Sequence, residues 1–103
     1  MKMKNLLEKK AVKAENGVEF QLMFYILESI VEIEGNAVVV YGIQIDKLDS
    51  GGNILLSEQI FDISDSKSEV EKLARKLLEG EVEPENLVEI VTDYVDSCEY
   101  MAV

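Results

Sequence analysis

Hydrophobic residues are spaced differently in the two parts of this chain. From Phe20 to about Ile63, apolar residues recur mostly at every second position and include many Val, Ile, Phe and Tyr residues, which predicts β-strands. From Ser66 onward they recur at every third or fourth position, which predicts amphipathic helices. We therefore expect an α+β fold, in which an antiparallel β-meander of three to four strands is followed by two amphipathic helices packed on one face of the sheet.

The strand region divides at turn residues and at one change of phase. Gly35-Asn36 predicts a tight hairpin turn into a second strand over about 38–45, and a return strand is expected over about 54–63. The alternation changes phase near residues 28–29, which predicts a β-bulge or a break between two short strands. The apolar side chains expected to share one face of the first strand are Phe20, Leu22, Phe24 and Ile26.

The segment "DKLDSGGNIL" at 46–55 resembles a calcium-binding loop. If Asp46 is the first ligand, Gly51 falls at the sixth position, as an EF-hand requires. However, the third position is the apolar Leu48, and the twelfth is Ser57 where a bidentate glutamate is needed. The glycines instead suit a hairpin loop, which is our interpretation of this segment.

Two helices are predicted after residue 65. Residues 66–69, "SKSE", form a capping box at the start of the first helix, and Gly80 is expected to end it as a left-handed cap. Pro84 suits the first turn of the second helix. Cys98, the one cysteine, falls on the apolar stripe of that helix and is interpreted as a small buried hydrophobic residue.

The net charge of −11 is distributed unevenly along the 103 residues. Residues 1–13 carry five lysines and one glutamate, whereas the rest of the chain is strongly acidic. We expect residues 18–103 to form a single α+β domain and the basic segment 1–17 to be either disordered or folded over the sheet. An acidic body repels phosphate backbones, so no nucleic-acid binding is expected.

Features that the sequence lacks indicate where the protein is located and which kinds of functional site it can hold. It has one cysteine, no signal-peptide pattern and no apolar stretch long enough to span a bilayer, so we expect a cytoplasmic protein with no membrane association. There is no histidine and no nucleotide-binding motif, so we expect no catalytic residue, no cofactor and no metal site. The acidic stretch 79–85 is interpreted as a solvated connector between the helices.

Apolar residues occupy both faces of the predicted sheet. A sheet covered on one side normally alternates apolar with polar residues, so a second apolar face predicts an interface for self-association or for a protein partner. Two alternatives stay open: the N-terminal segment covers this face, or the register of the strands is assigned wrongly. The candidate interface residues are Met23, Tyr25 and Leu27 on one strand, with Val38 and Val40 on its neighbour.

Three segments give the chain a resemblance to a known family. "YGIQI" at 41–45, "IFDIS" at 60–64 and "VEPENLVEIVTDYV" at 82–95 resemble an uncharacterised family of short acidic proteins from Firmicutes, a domain of unknown function, over about residues 20–98. The chain departs from that family at Asn86, where a histidine is common. The resemblance implies a compact bacterial cytosolic domain without an assigned activity.

These observations lead to three hypotheses about function. The first is a non-enzymatic protein that self-associates or docks a partner through the apolar face of its sheet. The second is an acidic regulator that mimics nucleic acid and occupies a basic groove on another protein. The third is an enzyme that uses carboxylates alone, which would require two or more close carboxylates in a deep pocket.

Overall fold

The computed structural model describes the backbone of residues 2–101 and the side chains of residues 2–95. Its strands form one antiparallel sheet in chain order, in which each strand pairs with the next, and two helices follow. This confirms the predicted α+β meander followed by two helices. The elements are β1 (Lys2–Lys13), β2 (Glu19–Ile33), β3 (Asn36–Leu48), β4 (Ile54–Ser64), α1 (Lys67–Glu79) and α2 (Pro84–Met101).

The ends of the helices follow the predicted local signals with one exception. The Ser66 side chain accepts a hydrogen bond from the backbone N–H of Glu69, which confirms the start of α1, and α2 begins at Pro84. Gly80 caps α1 with φ −82, so the expected left-handed glycine cap is wrong. The positive φ falls on the next residue, Glu81, at 52°. Cys98 lies outside the residues whose side chains the structure describes.

The core lies between the helices and one face of the sheet. The predicted inward set of β2 is confirmed, because all four of its side chains are buried in the main hydrophobic cluster together with Ile43 and Ile45 of β3. Each such side chain contributes on the order of 2 kcal/mol of burial energy. The helices complete the cluster with Val70, Leu73, Ala74, Leu77 and Leu78 from α1 and Leu87 and Val91 from α2.

The predicted bulge or break at residues 28–29 is wrong. β2 pairs with β3 without interruption from Gln21 opposite Leu48 to Ile33 opposite Asn36. The phase change instead reflects a change in which face of the sheet is covered. Near this point the buried residues of β2 move to the face opposite the helices, whereas Ile30 on the helix side is 47% exposed.

Three irregularities occur in the outer strands. In β1 the register shifts between Leu6 and Glu8. In β4 the register shifts at Leu55, between Ile54 and Leu56, and three residues, 61–63, lie opposite the single residue Gly42 of β3. A Cβ atom on Gly42 would lie 2.0 Å from the Ile60 carbonyl oxygen, so only glycine fits beneath this bulge.

The segment first compared with a calcium loop is the turn between β3 and β4. One carboxylate oxygen of Asp49 accepts hydrogen bonds from the backbone N–H groups of Gly51 and Asn53, each at 2.9 Å. The bonds from Asn53, with those from the glycine backbone, lower the pKa of the Asp49 carboxyl. The hairpin interpretation is thus confirmed, and the side chain of Asp49 stabilises the turn.

Candidate interaction surface

We call the face of the sheet opposite α1 and α2 the open face. The register of the strands places all five candidate interface residues on it, and none of them belongs to the cluster beneath the helices. Tyr25 pairs with Gln44 at the centre of the face, and Leu27 pairs with Gly42. The five residues are Met23, Tyr25, Leu27, Val38 and Val40.

Two of these five residues are already buried within the chain. Leu27 and Val40 are each 3% exposed. Both lie beside Gly42, over which β4 bulges: Gly42 is paired with Leu27 and lies two residues after Val40 on the same face. Met23, Tyr25 and Val38 are half-buried, so part of each side chain is accessible to solvent.

The N-terminal segment forms an edge strand of the sheet and places lysines on the open face. Residues 2–13 pair with β2, with Lys4 opposite Leu27 and Lys9 opposite Met23. The bulge between Leu6 and Glu8 changes the phase of β1, so lysines at even positions before it and at odd positions after it share one face. The four exposed lysines on the open face are Lys2, Lys4, Lys9 and Lys13.

The sequence predicts a tail or a cover for this segment and does not indicate that these lysines share a face. Alternation alone would not have grouped them, since they occur at both even and odd positions. The fifth lysine of the segment, Lys10, lies on the helix side. It donates a hydrogen bond to the Leu78 carbonyl at 3.3 Å and lies 3.8 Å from the Glu81 carboxylate, so it ties β1 to the end of α1.

Two of the open-face lysines lie over aromatic rings. The Lys2 Nζ atom is 4.5 Å from the centre of the Phe61 ring, and the Lys4 Nζ atom is 4.6 Å from the centre of the Tyr25 ring. The Tyr25 hydroxyl donates to the sulfur of Met23 at 3.6 Å. Cation–π contacts of this kind contribute about 0.5–1 kcal/mol at exposed sites. They hold positive charge directly beside the apolar centre of the face.

A buried carboxylate lies beside this aromatic centre. Asp46 is 4% exposed, and one of its oxygens accepts hydrogen bonds from Ser57 Oγ at 2.5 Å and from Gln44 Nε2 at 2.9 Å. The pKa of Tyr25 is raised, first by burial and then by the negative charge of Asp46. Asp46, first considered as a calcium ligand, thus holds β3 and β4 together in a polar network that the sequence did not reveal.

The open face is basic although the chain is acidic overall. Against its four lysines, the alternation of β2 and β3 places only Glu19 and the buried Asp46 there as carboxylates. Since the net charge of the chain is −11, the excess of negative charge lies elsewhere on the molecule. The protein therefore has a pronounced separation of charge between its two sides.

The acidic connector between the helices is partly paired within the chain. Glu83 accepts a hydrogen bond from Lys47 at 2.5 Å, which raises the pKa of Lys47, and Glu81 lies beside Lys10. Lys47 also lies 4.6 Å from the centre of the Phe20 ring. These two carboxylates thus fasten the connector to the sheet, in addition to facing solvent.

Two further findings concern the described residues only. Among them, no group of three or more His, Cys, Asp or Glu side chains is arranged to hold a metal ion. Within the same part of the chain, neither helix has the length and apolar character that a membrane crossing requires.

Comparison with known proteins identifies a family. No curated protein and no solved structure matched the chain significantly. A family model described as "Family of unknown function (DUF6514)" matches residues 3–97, which include β1 apart from Lys2, the other three strands, α1 and most of α2. The chain therefore belongs to the DUF6514 family, whose function is unknown.

Proposed function

We propose that this chain is a non-enzymatic protein-interaction domain of the cytosol that binds an acidic partner protein on the open face of its sheet. One observation carries the proposal: the accessible residues Met23, Tyr25 and Val38 share a face with four exposed lysines. An apolar centre bordered by charge is the usual composition of a protein interface.

The apolar residues and the lysines have different tasks in this proposal. Burial of the apolar centre supplies most of the binding energy, at about 25 cal/mol per Å² of apolar surface. The lysines select partners by charge and speed their approach, because an acidic molecule is attracted to this face and repelled by the rest of the chain. The contacts of Lys2 and Lys4 with aromatic rings limit the freedom of those side chains before binding, which lowers the entropic cost of association.

The charge distribution also favours an acidic protein over other occupants of the open face. Two copies joined through this face would bring eight lysines together, four from each copy. An extended nucleic acid would meet the lysines but would also pass the acidic remainder of a chain whose net charge is −11. An acidic protein segment can be confined to the basic face.

A titration of the full-length chain, followed by NMR, tests this proposal. The probe is a peptide that alternates glutamate with leucine, and the control peptide has glutamine in place of each glutamate. We expect shifts of the backbone signals of Met23, Tyr25 and Val38 with the acidic peptide, and much smaller shifts with the control. Shifts confined to α1 and α2, or tighter binding of a single-stranded oligonucleotide, would contradict the proposal.

A second candidate function is the acidic regulator that binds a basic groove. The exposure of Glu79, Glu85, Glu89 and Asp93 on the helices and their connector favours it. The pairing of Glu81 and Glu83 with lysines of the same chain weakens it. A basic peptide of alternating lysine and leucine discriminates the two, because it should shift signals of the helices and leave the open face unchanged.

A further inference from the structure

We infer that two copies of this chain pair through their β4 strands and form one continuous eight-stranded antiparallel sheet. This surface is the edge of the sheet and is separate from the open face. The inference therefore does not depend on the identity of any partner, and it stands or fails independently of the proposed function.

The two edge strands of the sheet, β1 and β4, differ in how well they are protected from pairing with a strand of another chain. Edge strands are commonly protected from pairing by lysines, and β1 carries five of them. Residues 54–59 of β4 are all exposed and include three consecutive apolar residues. Ile54 is 61% exposed, Leu55 56% and Leu56 42%. An edge strand with exposed apolar side chains and no lysine is a ready site for strand pairing.

The backbone of β4 specifies an extended strand as the occupant. Within residues 2–101 β4 pairs only with β3, so the N–H and C=O groups on its outer side are not used by another strand of the sheet. These groups are satisfied most completely by the backbone of an added strand. A groove beside the edge, lined by Ile60, Ile63, Val88 and Val91, offers further apolar contact to such a strand.

The symmetry of the assembly argues that the added strand is β4 of a second copy. Pairing of β4 with β4 is a closed twofold contact, and it leaves β1 as the outer edge at both ends. The lysines of β1 then oppose any further addition, so assembly stops at two chains. Pairing of β4 with β1 of another copy would instead propagate into an open filament.

The geometry of antiparallel pairing restricts the register. Residues that face one another across the new pair are either both hydrogen-bonded to each other or both not, so within a regular segment their numbers differ by an even amount. A twofold axis at Ser57 pairs Leu56 with Glu58, which lie on the same face of the sheet, and it falls within the regular segment 56–60 between the register shift at Leu55 and the bulge at 61–63. In this register the two Glu58 side chains do not face each other, and like charges are kept apart.

Dimerisation through β4 should depend on salt concentration in the opposite way to binding of an acidic partner. The pairing segment 56–60 contains Glu58 as its only charged residue, but each copy carries a net charge of −11. Long-range repulsion between the copies is screened over about 8 Å at physiological salt. Dimerisation should therefore strengthen as salt is added, whereas binding of an acidic partner to the lysines of the open face should weaken.

Sedimentation equilibrium of the full chain tests the dimer. We expect twice the chain mass for the natural sequence and a single chain mass for Leu55→Lys. The matched control is Leu6→Lys, since Leu6 is 54% exposed on β1 and Leu55 is 56% exposed on β4. This control should remain dimeric, and circular dichroism should show that both variants fold. At a chain concentration of about 1 mM, even a dimer with a binding free energy of only about 4 kcal/mol would be detected. A single chain mass at that concentration would therefore overturn the inference.

A cysteine cross-link tests the register. In a Cys98→Ser background, Ser57→Cys places two thiols across the proposed axis, and mild oxidation should give a covalent dimer. Ser50→Cys is the control, because Ser50 lies in the exposed turn before β4, far from the axis. Equal cross-linking of the two variants, or none for Ser57→Cys, would overturn the proposed pairing.

Discussion

The ammonium group of Lys4 lies 4.6 Å from the ring centre of Tyr25, on the face of the sheet that the helices leave open. Lys4 comes from the edge strand β1 and Tyr25 from its neighbour β2. Their contact joins the basic and the apolar parts of the open face into one surface. The proposed interaction with an acidic protein rests on this combination.

The alkaline stability of the chain should depend on Tyr25. Burial and the charge of Asp46 raise its pKa above the ordinary value of 10.0. The folded chain therefore keeps this proton at pH values where the unfolded chain loses it, so the free energy of unfolding falls as pH rises from 10 through the folded pKa. In Tyr25→Phe this part of the decrease should be absent, as measured by urea unfolding below and above pH 10.

The comparison needs a tyrosine control. Tyr41 lies on the helix side of the sheet. In Tyr41→Phe, the free energy of unfolding should fall above pH 10 as steeply as in the natural sequence. Lys47, whose pKa is raised mainly by its hydrogen bond to Glu83, titrates in all of these chains and cancels in the comparison. Equal slopes for Tyr25→Phe and the natural sequence would show that Tyr25 is not the group responsible.

Substitution of Gly42 by alanine should strongly destabilise the fold. The added Cβ would lie 2.0 Å from the Ile60 carbonyl oxygen and 2.9 Å from the Phe61 Cα atom, so the backbone of β4 must move. We expect a loss of about 2 kcal/mol or more in the free energy of unfolding, the upper range for overpacking. Chemical denaturation followed by circular dichroism measures it.

Gly51→Ala is the matched control for this steric effect. A Cβ at Gly51 would meet its nearest atoms, in Asn53 and Asp49, at 3.4 Å, and so this variant should lose less than about 0.5 kcal/mol. Similar losses for Gly51→Ala and Gly42→Ala would contradict the close passage of β4 over Gly42.

The hydrogen bond between Ser57 and Asp46 should contribute to stability through coupling. Ser57→Ala removes a donor to a carboxylate that is 4% exposed, and we expect a loss of about 1–3 kcal/mol. In a double-mutant cycle with Asp46→Ala, the two losses should not add, because each change removes the same hydrogen bond. Additive losses would show that the two side chains act independently.

The helix-side core was predictable because its signals are local. The alternation of Phe20, Leu22, Phe24 and Ile26 depends only on strand geometry, and the start of α1 depends on residues within one turn of Ser66. Local patterns of this kind survive in the folded chain whenever the strand or helix forms at all.

The composition of the open face depends on contacts that the sequence does not display. The lysines of β1 share a face only because the strand bulges between Leu6 and Glu8 where it pairs with β2. Leu27 and Val40 are buried where β4, distant in sequence, bulges over Gly42. Both bulges arise from pairing between strands, which alternation within one strand cannot reveal.

Charge reversal on the open face tests the central claim most directly. The affinity of the full chain for the glutamate–leucine peptide is measured by calorimetry for the natural sequence, for Lys4→Glu/Lys9→Glu and for the helix control Lys72→Glu/Lys76→Glu. Two lost ion pairs of up to about 1 kcal/mol each predict a weakening of about tenfold or more for the open-face variant. The control should bind within about twofold of the natural sequence, a difference of less than about 0.5 kcal/mol. Equal weakening by both variants would contradict the assignment of the open face as the binding surface.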